Sequence, residues 1–204
     1  MYINDLCNFK FNGHLTAFAD DVALSYSGYD QISIAKDVQK DLYFIRKWFD
    51  YNGLELSEKT KFMFFDPSNC YAIKLKLYYH IVDCLKQNCN GLIIEQVSSI
   101  KYLGVTFDKY LKWYYHINDL VRVLRYYVSK LYFIRHKCPS YFQVMLYNAL
   151  VGTKLNYGLI CWGGAHKTTL NPAVILQKKL IRIIAKKIVL SLLTPYLLIL
   201  SYCH

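Results

Sequence analysis

Residues 14–26, which read HLTAFADDVALSY, decide the fold of this chain. Apolar residues alternate with other residues on both sides of two adjacent carboxylates, Asp20 and Asp21. A period of two on each side of an acidic break predicts a β-hairpin with Asp20 and Asp21 at its tip. Two carboxylates this close repel each other unless a cation lies beside them, and Mg²⁺ prefers such oxygen ligands. The alternative is a solvated turn, because aspartate is a common turn residue.

The sequence Phe18-Ala19-Asp20-Asp21 resembles the Phe/Tyr-x-Asp-Asp signature of reverse transcriptases, and residues 2–6 (YINDL) resemble the segment just before it in non-LTR (LINE-type, jockey-like) retrotransposon enzymes. The resemblance implies an RNA-directed DNA polymerase, a nucleotidyltransferase that adds deoxynucleotides to a primer 3′ end by two-metal phosphoryl transfer. It implies that Asp20 and Asp21 bind Mg²⁺ or Mn²⁺, with Asp20 the better candidate for a direct ligand.

Composition and charge favour a folded chain that handles a polyanion. Of the 204 residues, 54% are hydrophobic, and this excludes a disordered chain. Seven scattered cysteines without a signal peptide predict reduced, intracellular thiols.

Residues 111–204 hold 13 Lys and Arg against one Asp, whereas residues 1–60 hold 6 Lys and Arg against 9 acidic residues. This asymmetry suits nucleic acid held by the second part and presented to a metal site in the first, although helix surfaces also use Lys and Arg for solubility.

Residues 30–53 predict a helix that begins at an Asp30 cap and ends at Asn52-Gly53. Its apolar positions recur at steps of three and four, so we expect one stripe packed on the sheet of the hairpin. The stripe consists of Ile34, Val38, Leu42, Ile45, Trp48 and Phe49.

Residues 52–65 (NGLELSEKTKFMFF) resemble the next motif of the same family, an Asn-x-Leu-x-Leu loop followed by Lys-Thr-Lys and a strand. Ser57 stands where family members often have Asn, and the spacing to Lys59 is one residue short. The resemblance implies a lysine near the leaving pyrophosphate, where a cation stabilises charge or donates a proton. Lys59 is the catalytic candidate and Lys61 the second, and the alternative is an exposed loop lysine.

Residues 100–108 (IKYLGVTFD) resemble the primer-grip motif of these enzymes, with Tyr102, Leu103 and Gly104 at its centre. The pattern is a strand with a glycine where a backbone approaches something closely. The resemblance implies that the neighbour is the primer end, and the alternative is a β-bulge without a ligand.

Three amphipathic helices follow, at residues 113–137, at residues 140–151 with Ser140 as cap and Gly152 as break, and at residues 171–187. The last is expected to bury Val174, Ile175, Leu180, Ile183 and Ile184. Residues 157–158 (YG), 162–164 (WGG) and 176–184 (LQKKLIRII) resemble the helical thumb region of LINE-type enzymes. Basic helices with aromatic residues between them suit a template–primer duplex that is held through its phosphates. The predicted nucleic-acid-binding residues are Arg122, Arg125, Lys130, Arg135, Lys178, Lys179 and Arg182.

The expected fold class is α+β, a partial polymerase palm with an antiparallel sheet and a packed helix, followed by an all-helical basic thumb. Residues 1–110 form the partial palm and residues 111–187 the thumb-like region. Residues 188–204 are an apolar tail, too short and too interrupted by Pro195 to predict a membrane span, so no membrane partner is expected.

The family requires a further metal-binding Asp upstream, but only Asp5 precedes Asp20 here, in a segment that does not correspond to it. We therefore predict a fragment that does not polymerise alone and does not bind its metal tightly. The RNA template, the DNA primer and the dNTP are partners of the intact family, in the nucleus or cytoplasm. The alternatives are a non-enzymatic basic nucleic-acid-binding remnant and an inert pseudogene product. An uncovered hairpin edge also predicts self-association.

Overall fold

The structure, a computed structural model, describes residues 3–57, 59–65, 76–79 and 92–185. The chain divides into two compact units, Met1–Leu103 and Gly104–His204. The first unit combines short strands with one long helix, and the second is mainly helical. This mixture agrees with the predicted α+β class.

The described part of the first unit begins with a short 3₁₀ turn, Asn4–Asn8, and continues with six strands and one α-helix. In chain order they are β1 (His14–Phe18), β2 (Asp21–Ser25), α1 (Gln31–Tyr51), β3 (Lys61–Phe62), β4 (Leu77–Tyr79), β5 (Leu92–Gln96) and β6 (Ser99–Tyr102). Strands β1 and β2 form the predicted hairpin, whereas β5 lies between β3 and β4 in a three-stranded sheet. Strand β3 is parallel to β5, and β4 is antiparallel to it.

Helix α1 confirms the predicted helix and its caps. The Asp30 side chain accepts hydrogen bonds from the backbone N–H groups of Ile32 and Ser33, at 3.2 and 2.9 Å. These bonds satisfy amides that the first turn of a helix leaves unpaired. At the other end, Gly53 has φ +64°, the left-handed conformation that commonly follows a helix.

The apolar stripe of α1 does not pack where we predicted. Leu42 is buried with Leu77 and Tyr79 of β4 and Ile94 of β5, not on the hairpin. Alternate residues of a strand share one face, so Leu77 and Tyr79 present a continuous apolar surface to the helix. The hairpin strands offer no such surface, because their residues are exposed or half-buried on both faces.

The second unit begins with one strand, followed by helical segments. They are β7 (Val105–Asp108), α2 (Tyr114–Ile134), α3 (Ser140–Leu146), a π-helical turn (Tyr147–Gly152), α4 (Thr153–Asn156), α5 (Leu159–Trp162) and α6 (Lys167–Ala185). Helices α2 and α6 pack against each other through a shared hydrophobic core. The side chains of Leu124, Trp162 and Leu180 are completely buried in this core.

Four predictions about the helices were wrong. Ser140 is the first residue of α3 and not its cap, since Pro139 occupies the N-cap position and no side chain among the described residues caps the helix. Gly152 does not break its helix, because the chain stays helical to Asn156 and buries Tyr147, Val151 and Leu155 at four-residue steps. Ile175 is 56% exposed, although we predicted it to be buried. Helix α6 begins at Lys167, four residues earlier than predicted, and it buries Leu170 and Ala173 instead.

No helix in the described ranges is both long and apolar enough to cross a bilayer. The predicted tail at residues 188–204, together with Lys186 and Lys187 of the last predicted helix, lies outside the described residues.

Candidate functional site

The acidic tip of the hairpin has a two-residue turn. Phe18 pairs with Asp21, so Ala19 and Asp20 form the turn and Asp21 is the first residue of β2. Ala19 has φ +54°, and a positive φ at the first central residue alone is the sign pattern of a type II′ hairpin turn. Asp20 and Asp21 are both exposed.

The two carboxylates form a donor set of hard oxygens that solvent can reach. Among the described residues, no ion pair involves either of them. The described residues also contain no group of three His, Cys, Asp or Glu side chains arranged to hold a metal. Mg²⁺ is often held by one or two carboxylates, with water and substrate phosphates completing its coordination. The pair fits that pattern.

The base of the hairpin is fixed to α1 by a carboxylate that the sequence analysis did not identify. Asp41 is 1% exposed and accepts two hydrogen bonds from Asn12, one from the backbone N–H (2.9 Å) and one from the side-chain amide (2.7 Å). It also accepts bonds from the Gly13 N–H (3.1 Å) and the Tyr26 hydroxyl (2.9 Å). Four donors replace the water that a buried carboxylate loses, which makes its burial tolerable.

Tyr26 packs closely against Gly13 at this group of hydrogen bonds around Asp41, which we call the Asp41 anchor. A Cβ on Gly13 would lie 2.5 Å from Cε1 of the Tyr26 ring, so only glycine leaves room for the ring. Burial raises the pKa of Tyr26 far above that of an ordinary tyrosine, and the hydrogen bond and the negative charge of Asp41 raise it further. The sequence did carry a sign of the anchor, since Asp41 interrupts the apolar stripe of α1 three residues after Val38 and four before Ile45.

The two candidate lysines have different surroundings. Lys61 Nζ lies 2.8 Å from Glu95 Oε2, on the residue opposite it in the β3–β5 pair. This ion pair gives Lys61 a structural role across the two strands. Lys59 is exposed in the preceding turn, where its backbone N–H donates to Ser57 Oγ at 3.3 Å. Among the described residues, no hydrogen bond or ion pair joins Lys59 to Asp20 or Asp21.

The glycine of the primer-grip-like motif lies in a turn between β6 and β7, so the prediction of one strand through this glycine was wrong. Leu103 and Gly104 have φ values of +45° and +79°, the sign pattern of a type I′ turn. A Cβ on Gly104 would lie 3.2 Å from Cε1 of Tyr157. The close approach predicted for this glycine is therefore made by Tyr157, which is itself 54% exposed.

Asp108, at the end of the same motif, binds the backbone of the loop that connects β7 to α2. Its carboxylate accepts hydrogen bonds from the backbone N–H groups of Tyr110 (3.1 Å), Lys112 (3.0 Å) and Trp113 (2.5 Å). The loop needs this support because Leu111 and Trp113 both have positive φ, which is unfavourable for residues with a Cβ. The sequence pattern did not predict this role of Asp108, because the amides that it binds are held in place by the fold of the loop.

The predicted nucleic-acid-binding cations lie on the surface of the second unit. Arg122, Arg125 and Lys130 are exposed on α2, and Arg135 is half-buried just after it. Lys178, Lys179 and Arg182 are exposed on α6. Among the described residues of this unit, the acidic side chains are Asp108 and Asp119. Asp108 is buried, whereas Asp119 is exposed and pairs with Arg122 at 2.6 Å. Asp119 is therefore the acidic residue that offsets the surface cations.

The candidate residues fall into both units. Asp20, Asp21, Lys59 and the first two primer-grip residues belong to Met1–Leu103. Gly104 and all seven predicted nucleic-acid-binding residues belong to Gly104–His204.

Comparison with known proteins supports the resemblance drawn from the motifs. The chain is 32% identical over 102 residues to the RNA-directed DNA polymerase from mobile element jockey of Drosophila melanogaster, a match that covers 48% of this chain and 11% of that protein. It is 32% identical over 105 residues to the jockey polymerase of Drosophila funebris, covering 50% of this chain and 12% of that protein.

A third relative matches over a longer range. The chain is 25% identical over 173 residues to the probable RNA-directed DNA polymerase from transposon X-element of Drosophila melanogaster, covering 83% of this chain. The chain spans between 11% and 18% of the length of these curated relatives. No family model matches it, and no solved structure matches it significantly. The predicted resemblance to jockey-like reverse transcriptases of non-LTR elements is therefore confirmed at the level of sequence similarity.

Proposed function

We propose that this chain is the part of a reverse transcriptase that carries the acidic metal-binding hairpin and the helices that hold the template–primer. The observation that carries the proposal is Phe18-Ala19-Asp20-Asp21 at the turn of an antiparallel hairpin, with both carboxylates exposed. In this proposal residues 1–110 are part of a palm and residues 111–187 part of a thumb.

Asp20 and Asp21 are the ligands of Mg²⁺ or Mn²⁺ in this proposal. The metal supplies charge neutralisation on the phosphoryl group that is transferred. The hairpin contributes a short turn that places Asp20 and Asp21 at its tip, and Asp41 fixes the other end of the hairpin to α1. The exposed Lys59 is the cation that offsets charge on the leaving pyrophosphate, since Lys61 is engaged by Glu95.

Tyr102, Leu103 and Gly104 position the primer end, and the seven basic residues of α2, α6 and the turn after α2 bind nucleic-acid phosphates. The support is the charge of residues 111–204, where 13 Lys and Arg face a single Asp. Contacts of this kind position nucleic acid without reading its sequence.

In this proposal Asp20 and Asp21 are two of the metal-binding carboxylates that the family uses, so these 204 residues by themselves are expected not to extend a primer. A primer-extension assay with Mg²⁺ or Mn²⁺ tests this expectation. Products that disappear in Asp20→Asn and Asp21→Asn variants would overturn it.

The duplex-binding part of the proposal is tested by fluorescence anisotropy with an RNA–DNA duplex over a series of salt concentrations. The Lys178→Gln/Lys179→Gln/Arg182→Gln variant should bind more weakly, with a logarithmic salt slope reduced by roughly 0.9 for each phosphate that the variant no longer neutralises. Unchanged affinity and slope would contradict the assignment of α6.

A second candidate function is nucleic-acid binding without catalysis, favoured by the same concentration of positive charge. The two functions differ in what the hairpin does. If duplex binding is unaffected by Asp20→Ala and by removal of divalent metal, and no metal is recruited to the bound duplex, the non-enzymatic function is the better description.

A further inference from the structure

Helix α2 exposes a row of alternating aromatic and basic side chains. Its members recur at helical steps on the outer face, the last of them in the turn just after the helix. We call this the aromatic–basic row, and it consists of Tyr115, Arg122, Tyr126, Lys130, Phe133 and Lys137.

The rings of the row are more than half exposed. Tyr115 is 53%, Tyr126 58% and Phe133 66% exposed. The row lies outside the buried positions of α2, such as Leu124 and Leu131, which belong to the core shared with α6. Large rings exposed at helical steps along one face provide apolar area that a ligand can cover.

Cations and rings of the row are already in contact. Lys130 Nζ lies 5.2 Å from the centroid of the Tyr126 ring, and Lys137 Nζ lies 4.1 Å from the centroid of the Phe133 ring. Exposed contacts of this kind are weak, so a ligand can displace them. They keep each cation within a few ångströms of a ring that can accept a base.

The exposed face of α6 has a different composition. It presents Lys178, Lys179 and Arg182 to solvent, and residues 167–185 contain no aromatic residue. Cations without rings suit the phosphates of a duplex, whose bases are stacked inside. Cations alternating with rings suit a single strand, whose unstacked bases can lie on aromatic faces.

We propose that the aromatic–basic row of α2 binds single-stranded nucleic acid, with bases stacked on Tyr126 and Phe133 and phosphates paired with Lys130 and Lys137. Arg122 is held by Asp119 on the same face, at 2.6 Å, and is not assigned a phosphate. This inference rests on the proposed function, because it assumes that the chain binds nucleic acid. It assigns the duplex to α6 and an unpaired strand to α2. Tyr126 and Phe133 are seven residues apart, two helical turns and about 10 Å along one face, so they serve two separate bases of the strand.

The test compares the affinities of the full 204-residue chain for a 20-nucleotide single strand, as RNA and as DNA, and for a blunt RNA–DNA duplex. The Tyr126→Leu/Phe133→Leu variant keeps the charges and the apolar character but removes the rings. Tyr29→Leu/Tyr141→Leu is the matched control, since both tyrosines are exposed and lie outside the row. Circular dichroism verifies that the variants keep their helical content.

The ring variant should lose about tenfold or more in affinity for both single strands, since two stacking contacts are removed, and less than about twofold for the duplex. Its logarithmic salt slope should not change, because the rings carry no charge. A Tyr126→Trp/Phe133→Trp variant should bind the single strands more tightly, and 2-aminopurine in the strand should be quenched less by the leucine variant than by the unmodified chain.

Equal losses for single strand and duplex, or no loss beyond that of the control, would overturn the single-strand assignment. If the tryptophan variant also failed to strengthen single-strand binding, the assignment would be overturned regardless of how the leucine variant folds. The proposed function fails in a different way, namely if the unmodified chain shows no salt-dependent duplex binding or if the α6 variant binds the duplex normally.

Discussion

The Tyr26 hydroxyl donates a 2.9 Å hydrogen bond to Asp41, a carboxylate that is 1% exposed and accepts three more hydrogen bonds from Asn12 and Gly13. Residues that flank the hairpin on both sides are thereby tied to one point on α1. The acidic turn lies at the opposite end of the strands. The position of Asp20 and Asp21 within the first unit therefore depends on a residue about twenty positions away in sequence.

The Tyr26→Phe substitution removes one donor from Asp41 and keeps the ring. Hydrogen bonds to charged groups contribute about 1.5–3 kcal/mol, so we expect a loss of about 2 kcal/mol in the free energy of unfolding of the first unit. Asp41→Ala should cost more, because it leaves several donors without an acceptor. Chemical denaturation followed by circular dichroism measures both, and Tyr29→Phe, at a fully exposed tyrosine, is the control. Equal unfolding free energies of the Tyr26→Phe and Tyr29→Phe variants would contradict the stabilising role of the Asp41 anchor.

The raised pKa of Tyr26 predicts how stability changes at alkaline pH. The folded state keeps the proton more tightly than the unfolded state, where tyrosine titrates near pH 10. The stabilisation is therefore complete below about pH 10 and decreases as the pH rises, by up to about 1.4 kcal/mol per pH unit. The measurement is the difference in unfolding free energy between the unmodified chain and Tyr26→Phe from pH 8 to 11. A difference that stays constant over this range would contradict the prediction.

Gly104→Ala tests the turn of the primer-grip-like motif. Alanine is unfavourable at φ +79°, and its Cβ would lie 3.2 Å from the Tyr157 ring, so we expect a loss of about 1–2 kcal/mol. Tyr157→Ala should relieve the contact but not the backbone strain. A double-mutant cycle separates the two effects, and a coupling energy near zero would show that Tyr157 does not restrict this position.

Asp108→Ala removes the acceptor of three backbone amides in the loop before α2. We expect a loss of about 2–3 kcal/mol, because at least one buried N–H is left unpaired beside two residues of positive φ. Asp119→Ala is the matched control, since its pair with Arg122 is exposed and contributes little. The melting temperatures of the two variants are compared by thermal unfolding. Similar melting temperatures would contradict the role of Asp108.

The hairpin predicts self-association of the isolated chain. Among the described residues, β1 pairs only with β2, and most of its side chains are exposed. An open, uncharged strand edge favours pairing with another molecule, so Ala17→Lys should reduce the apparent mass at high protein concentration. Light scattering coupled to size exclusion measures this mass, and a monomeric unmodified chain would contradict the prediction.

The sequence predicts local structure here better than it predicts packing. The hairpin and α1 were predictable because alternation, the Asp30 cap and the Asn52-Gly53 end act within a few residues. The packing of α1 on Leu77 and Ile94 was not, because it depends on strands distant in the chain. The hydrogen bonds of Asp41 could not be predicted either, since its partners Asn12, Gly13 and Tyr26 lie 15 to 29 residues away in sequence. Gly152 failed as a helix break because burial of Val151 and Leu155 outweighs the low helix propensity of one glycine.

The exposed positions of Asp20, Asp21 and the basic residues followed from the sequence pattern, because charged groups remain on the surface. The role of Tyr157 did not follow, since the approach of its ring to the space above Gly104 depends on the path of the chain through the second unit.

Localised cleavage of a bound duplex by Fe²⁺ and added hydrogen peroxide, with Fe²⁺ in place of Mg²⁺, tests the central claim most directly, because Fe²⁺ reduces the peroxide to hydroxide and a hydroxyl radical at the place where the metal is bound. The claim is that Asp20 and Asp21 hold a divalent metal at nucleic acid bound by the basic helices. We predict hydroxyl-radical cuts confined to nucleotides near the primer end, suppressed by excess Mg²⁺ and absent in Asp20→Asn/Asp21→Asn while duplex affinity is retained. Cleavage spread evenly along the duplex, or unchanged in that variant, would contradict the account.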